Sequence, residues 1–381
     1  MRPDYEVVVV GGGPAGAATA LTLARARRGV LLVDASAEES AFKIGEGLPP
    51  AARPLLQDLD LWDSFVAEEH LPSHGNLSAW GSRDLNSTDF IFDPNGNGWH
   101  LDRPRFDAQL RKQALAAGAD VSIGTKLNLK RSEFSADSWL LSLTSNGSET
   151  KLRCRWLIDA TGRHSSVARA RGKRRIADDA LVAFFGLFSP ARDSPTADED
   201  SRTLIEATPD GWWYTALLPD KHRVVAYLTD ADLADQSLRT KRGFNSILTR
   251  TEHISACLDS YRYELPKAVK AVSANSAHLG CVTGRGWIAV GDAALSFDPV
   301  SSQGILTALF TGMKAGETIA EALSGNSDPI SDYQERLTII YEAYLQNRST
   351  YYELEQRWIT RPFWSRRSNV RQSGISAEGG E

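Results

Sequence analysis

Residues 5–34 read YEVVVVGGGPAGAATALTLARARRGVLLVD, and the fold turns on them. Tyr5-Glu6-Val7-Val8-Val9-Val10 has the near-continuous apolar character of a strand buried on both faces. Gly11-Gly12-Gly13-Pro14-Ala15-Gly16 follows, where glycines let the backbone turn tightly and approach a pyrophosphate. A helix over residues 17–28 would offer its positive end to the phosphates. The next strand, Val30-Leu31-Leu32-Val33, ends in Asp34, 18 residues past Gly16, where an acid can accept hydrogen bonds from ribose hydroxyls. Strand, glycine turn, helix, strand and acid together predict a dinucleotide site, with Gly11, Gly13, Pro14, Ala15, Gly16 and Asp34 at the cofactor.

A second informative stretch, AVGDAALSFDPVSSQGI, occupies residues 289–305. A single acid, Asp292, sits in a small-residue turn, and Pro299 and Gly304 punctuate a loop that feeds a new helix. The free N–H groups of that helix would face whatever lies before it.

At 381 residues and 42% hydrophobic content, the chain is long enough for two packed lobes. A formal net charge of −5 gives no global pull toward nucleic acid or an anionic membrane. The three cysteines, Cys154, Cys257 and Cys281, lack CxxC spacing, which argues against a disulfide framework or a metal site and fits a reducing, cytoplasmic location. The apolar stretch 7–24 follows Asp4 and Glu6 and is broken by glycines and a proline, so it reads as neither signal peptide nor membrane span.

Further along, KIGEGLPP (43–50) leads into a helix at 51–59, and a helix at 103–117 closes on Gly118. Strands are expected at 126–131, 139–144 and 151–158, with Ser145-Asn146-Gly147 as a turn. The third ends in Asp159-Ala160-Thr161-Gly162-Arg163. Residues 190–202 read as an exposed loop, 203–229 as a meander of strands, and 305–358 as mainly helical.

The ordered set Gly11–Gly16, Asp159–Arg163 and Gly291–Ile305 resembles the FAD-binding frame of aromatic hydroxylases and flavin-dependent halogenases. The resemblance implies an α/β fold: a Rossmann-like FAD-binding domain of aromatic-hydroxylase type, an inserted antiparallel β-sheet substrate domain and a helical C-terminus. The FAD-binding domain would be discontinuous (1–75, 101–180 and 270–330) and the substrate domain would take 76–100 and 181–269. A C-terminal helical segment (331–367) and a Ser- and Gly-rich disordered tail (368–381) would complete the chain. It further implies that Asp34 holds the adenosine ribose, Arg103 the phosphates and Asp292 the ribityl chain. Lys43, Gly45, Glu46 and Pro299 would belong to the loops at the cofactor, with Gln303, Gly304 and Ile305 beside the isoalloxazine. For Arg103 a salt bridge with Asp107, one helical turn on, is the competing reading.

NADPH-dependent hydroxylases of this kind usually carry Asp-Gly directly in the middle motif; Asp159-Ala160-Thr161-Gly162-Arg163 departs from that and points to an external flavin reductase. Tryptophan halogenases carry a lysine some way past their Gly-Glu pair, whereas this chain has no lysine between Ile44 and His100. Where they carry a Trp-x-Trp motif, residues 211–219 read GWWYTALLP. KIGEGLPP, Trp99-His100-Leu101-Asp102-Arg103, Gly211–Tyr214 and Arg357-Trp358 with Phe363-Trp364 resemble a narrower group. These are the maturation flavoproteins of lysine and glycine oxidases that carry cysteine tryptophylquinone. That resemblance implies a FAD-dependent monooxygenase that uses O2 to hydroxylate an indole ring, a tryptophan in an oxidase precursor. The alternatives are a small-molecule aromatic hydroxylase or halogenase, and a non-enzymatic flavin-binding redox partner.

Glu46 and His74 are the catalytic candidates. Glu46 otherwise reads as an acid at the start of the helix after Pro50, and His74 and His100 as hydrogen-bonded structural residues. Trp212, Trp213 and Tyr214 alternate on a strand, so that one face meets the flavin or both pack in the sheet. The basic run Arg169, Arg171, Lys173, Arg174 and Arg175 reads as a solvated loop or a docking surface for a reductase. The C-terminal aromatics, Tyr341 to Trp364, pack back on the domain or receive a protein substrate.

Overall fold

The valine run forms β1 (Tyr5–Val10), and Val7, Val8 and Val9 are wholly buried. The computed structural model describes residues 4–36, 42–191 and 197–368. After β1 come α1 (Pro14–Arg25), β2 (Val30–Asp34), α2 (Ala52–Asp58), α3 (Arg103–Ala116), β3 (Asp120–Ile123), β4 (Ser138–Ser145), β5 (Ser148–Asp159), α4 (Ser166–Ala170), β6 (Trp287–Ala289), α5 (Gly304–Leu323) and α6 (Asp328–Glu353). The chain separates into two compact units, the first made of Met1–Glu69, Asp102–Asp178 and Ser276–Glu342.

In that unit five strands run parallel in the order β6-β5-β1-β2-β3. The last part of β5 lies between β1 and β6, and its first part pairs with β4 in an antiparallel hairpin. Asn146 (φ 48°) and Gly147 (φ 77°) turn that hairpin, as Asn-Gly does in tight β-turns. α1 lies along α5, where β-carbons at Gly312 and Gly316 would strike the backbone of Ala15 and the side chain of Thr22. Only glycine allows that approach.

α1 begins at Pro14 rather than residue 17, because a proline costs nothing in a first turn whose N–H has no helical acceptor, and it stops at Arg25 before left-handed Arg27. The strand expected over 126–131 ends at Leu127. Asn128 donates to Ser142 O, and Leu129–Arg131 then closes into a 3-10 turn as the Arg131 N–H turns back to Asn128 O.

The second unit comprises His70–Leu101, Asp179–Asn275 and Ala343–Glu381. The segment expected over 331–367 is therefore shared, its residues to Glu342 belonging to the first unit. Of the tail expected over 368–381, Ser368 ends the helix Pro362–Ser368, and the rest lies outside the described residues. Here an eight-stranded sheet runs in the order Tyr263–Glu264, Leu181–Pro190, Arg223–Asp230, Gly211–Leu217, Thr203–Thr208, Gly75–Ala79, Asn86–Asp89, with Lys270–Ser273 also paired to Leu181–Pro190. It is antiparallel except where Thr203–Thr208 pairs with Gly75–Ala79.

Trp213 lies on the face under the helices Lys241–Leu248 and His253–Ser260, packed with Phe184, Tyr227 and Phe244. Trp212 points the other way. It donates from Nε1 to Tyr352 Oη at 3.0 Å and stacks edge-on to Trp80, which also meets Tyr351, Tyr352 and Trp364. Tyr351, Tyr352, Phe363 and Trp364 therefore pack back within this unit, while Tyr341 packs on His278 and Phe297 within the first. Of the exposed loop expected over 190–202, residues 192–196 lie outside the described residues, and Asp198 is buried and takes two hydrogen bonds from buried Arg223, at 2.5 and 3.2 Å. No described helix is long and apolar enough to cross a membrane.

Candidate active site

The site in the first unit starts from the glycine turn. Gly13 caps α1 without a side-chain hydrogen bond, so the first N–H groups of the helix are left for an external acceptor. A β-carbon on Gly16 would fall on the carbonyl of Gly11, which closes that position to other residues. One on Gly13 would meet nothing within 4 Å, so the room for a ligand lies there.

Asp34 holds this turn. Its Oδ2 accepts the Gly12 N–H at 2.6 Å and its Oδ1 accepts the Ser36 N–H at 2.7 Å. Burial works against the charge, but the hydrogen bonds from Ser36 and Gly12 outweigh it and hold the carboxyl below its ordinary range.

Cations gather along α3, where Arg103, Asp107 and Arg111 share one face at four-residue intervals. Arg103 forms the ion pair with Asp107 (3.1 Å) and also donates to Gly45 O at 2.9 Å. Lys43 reaches the same Asp107 at 3.3 Å. Arg111 donates to Gly12 O at 3.1 Å. No motif marks Arg111; its only sequence signal is its place two turns after Arg103.

Glu46 is buried and its Oε2 accepts the Gly45 N–H at 3.0 Å. α2 has no acid in its first turn, so Glu46 does not act as a helix-terminal charge there.

The middle motif is a structural knot. Asp159 is fully buried and accepts from the Thr161 N–H (3.1 Å), the Thr161 hydroxyl (2.6 Å) and the Ala168 N–H (2.9 Å). Burial pushes its pKa up, against those hydrogen bonds. Arg163 stands 3.4 Å from Asp292. Arg175, which the sequence placed in a solvated run, donates to Ser165 Oγ (3.0 Å), Asp292 O (2.8 Å) and Ser296 Oγ (2.6 Å). The Asp292 turn is thus held at its backbone by one arginine and at its carboxylate by another.

Asp298 caps the turn Pro299–Ser301 through the Val300 N–H at 3.0 Å. Ser302 is left-handed (φ 51°), Gln303 and Gly304 are exposed, and Ile305 turns inward. α5 starts at Gly304 with no side-chain cap, leaving a second set of N–H groups open.

In the second unit His74 is exposed between the strands Leu71–Ser73 and Gly75–Ala79. His100 is buried, with Nδ1 2.8 Å from Leu217 O and Nε2 3.1 Å from Thr203 Oγ1. A carbonyl only accepts, so Nδ1 carries the proton and Nε2 receives the Thr203 hydroxyl. Burial and the nearby Arg223 charge depress its pKa to about 4, so this ring is a neutral clamp between strands.

Room over Gly13, two uncapped helix starts and the cations Lys43, Arg103 and Arg111 fit an extended dinucleotide carrying two phosphates. Residues 4–347 match the family described as FAD binding domain, and the chain belongs to that family. It is a FAD-dependent oxidoreductase with FAD as its cofactor. The chain is similar to the FAD-dependent oxidoreductase LodB of Marinomonas mediterranea, with 32% identity over 368 residues that cover 96% of this chain and 97% of that one. It shares the aromatic-hydroxylase and halogenase type of fold with the myxobacterial chondrochloren halogenase CndH (TM-score 0.86, 23% identity, 95% of this chain and 85% of that one). It also shares it with QhpG, a peptidyl tryptophan dihydroxylase essential for tryptophylquinone cofactor biogenesis (TM-score 0.76, 23% identity, 97% of this chain and 79% of that one).

Proposed function

We propose that this protein is a FAD-dependent monooxygenase that hydroxylates an indole ring, the side chain of a tryptophan in the precursor of a quinone-cofactor oxidase. The observation that carries the reading is a flavin frame in a chain that has no lysine from Ile44 to His100. Without that ammonium group the chain lacks the residue that would direct a hypohalous acid. The similarity to LodB over nearly the whole chain and the fold shared with a peptidyl tryptophan dihydroxylase support it.

Reduced FAD supplies the two electrons that activate O2, so that one oxygen atom enters the ring and the other leaves as water. The protein's part is to bind and orient. Gly13, Arg103, Arg111 and Lys43 hold the phosphates, Asp34 the ribose, Asp292 the ribityl chain, and Gly45, Pro299, Gln303, Gly304 and Ile305 border the ring system. The open N–H groups of α5 favour negative charge on the reduced cofactor. Glu46, buried beside Gly45, takes up the ring proton on its carboxylate, and His74 exchanges protons at the exposed loop. Electrons come from a separate flavin reductase.

Incubating the FAD-loaded protein with a reductase, NADH, O2 and an oxidase precursor tests this. The mass of one or two oxygen atoms should appear on one tryptophan of the precursor. An unmodified precursor, with free indoles or phenols oxidised or halogenated instead, would replace this reading with the small-molecule one that the likeness to CndH favours.

A further inference from the structure

The strand Asn86–Asp89 is the last in the order of its sheet, paired with Gly75–Ala79 on one side and with no described strand on the other. All four of its residues are exposed. Open sheet edges are usually blunted by lysine, proline, a bulge or a covering segment, because their free amide and carbonyl groups recruit further strands. The sequence Asn-Ser-Thr-Asp carries neither lysine nor proline.

Apolar side chains stand at both ends of this edge instead. Leu85 precedes it, and Ile91 and Phe92 follow it at 82% and 89% exposure, above every other large hydrophobic side chain described. Their presentation is fixed. The turn Phe90–Phe92 is pinned by the Phe90 N–H on His74 O and the Asp93 N–H on Phe90 O, both 2.9 Å. Asp84, Asp89 and Asp93 stand on or beside the edge in sequence, and two arginines close to it pair with other acids. Arg83 pairs with Glu252, and Arg202, which feels the Asp89 charge, pairs with Asp200.

We propose that this edge takes up an extended segment of the protein substrate as an added strand, with an apolar side chain against Ile91 and Phe92 and lysines or arginines meeting the three acids. The identity of the occupant rests on the protein-substrate reading given above. Main-chain hydrogen bonds would supply affinity, and the apolar and acidic flanks would supply register and choice of partner.

Hydrogen–deuterium exchange on the full-length, FAD-loaded protein tests it with two probes, an oxidase precursor and the synthetic peptide acetyl-Lys-Val-Lys-Ile-Thr-Val-Lys-Val-amide. Amides of residues 86–92 should exchange about tenfold more slowly with either probe. They should not change with a peptide in which glutamate replaces each lysine. Phe92→Glu and Ile91→Glu should each weaken binding about tenfold, with melting temperature and flavin spectrum unchanged because both side chains are exposed.

Unchanged exchange at 86–92 with both probes overturns the proposal, as does equal protection in Phe92→Glu. Protection already present in the free protein, lost on dilution or on removing residues 369–381, assigns the edge to a second copy or to the chain's own tail and also overturns it. A precursor that is oxygenated while 86–92 stays unprotected rejects the docking edge alone. Protection by the lysine peptide with no oxygen added to any precursor rejects the substrate reading alone.

Discussion

Asp34 and Gly12 are joined by a 2.6 Å hydrogen bond from the Gly12 N–H to Oδ2, so the acid that ends β2 also shapes the glycine turn. The same carboxylate holds Ser36 through its other oxygen. In the reading proposed above, building the turn and meeting a ribose would therefore be coupled tasks of one carboxylate.

Asp34→Ala should remove both bonds and destabilise the apoprotein by about 1–3 kcal/mol, with a FAD affinity lower by about tenfold or more. Because the folded-state pKa is depressed, the wild-type contribution is present above the ordinary carboxylate pKa and is lost as pH falls through the folded value. Urea unfolding with pH, in wild type and Asp34→Ala, measures this; parallel curves at low pH would contradict it.

Gly13→Ala and Gly16→Ala should part company. The Gly13 β-carbon enters open space, so apoprotein stability should stay within about 0.5 kcal/mol while FAD binding weakens. The Gly16 β-carbon meets the Gly11 carbonyl, so that variant should lose about 1–3 kcal/mol through overpacking. Melting of the two apoproteins, followed by flavin fluorescence titration, separates the effects.

His100 makes stability depend on acid. Its folded pKa of about 4 lies below the ordinary 6.5, so the unfolded chain binds the extra proton between these values. Stability should fall as pH drops through that window, by an amount on the order of 3 kcal/mol at the low end. His100→Gln should flatten the slope; an unaltered slope in equilibrium unfolding would rule the clamp out.

Arg175→Ala should free the Asp292 turn by removing donors to Ser165, Asp292 and Ser296. Loss of about 1–3 kcal/mol is expected, together with weaker FAD binding. Arg175→Lys should recover only part of both, since an ammonium cannot reproduce the planar fork. Isothermal titration of the apoproteins with FAD checks the order wild type, Lys, Ala.

The parallel core was legible because its signals are local. Valines, glycines, a proline and an acid stand in one short stretch, and Asn146-Gly147 announced its hairpin. What escaped depends on distant partners. Nothing in Arg169–Arg175 says that only its last arginine turns inward to Ser165, Asp292 and Ser296. Asp198 read as loop because its partner, Arg223, lies on a strand 25 residues on. For Arg103 the sequence offers a phosphate contact or an ion pair with Asp107; the ion pair forms, and the guanidinium also reaches Gly45 O. Trp212 and Trp213 alternate as the strand period demands, but which face each would find was set by segments far along the chain.

The close packing of α1 on α5 has a consequence for how the chain is made. Gly312 and Gly316 leave the ribosome long after Ala15 and Thr22, with most of the described chain between them. At about 5–20 residues per second that is a delay on the order of tens of seconds. Through that time the small-residue face of α1 waits without its mate, and the glycine turn it carries has no finished neighbour. A chain cut before Gly316 should therefore lack part of the face on which α1 packs, and its glycine turn should hold flavin poorly.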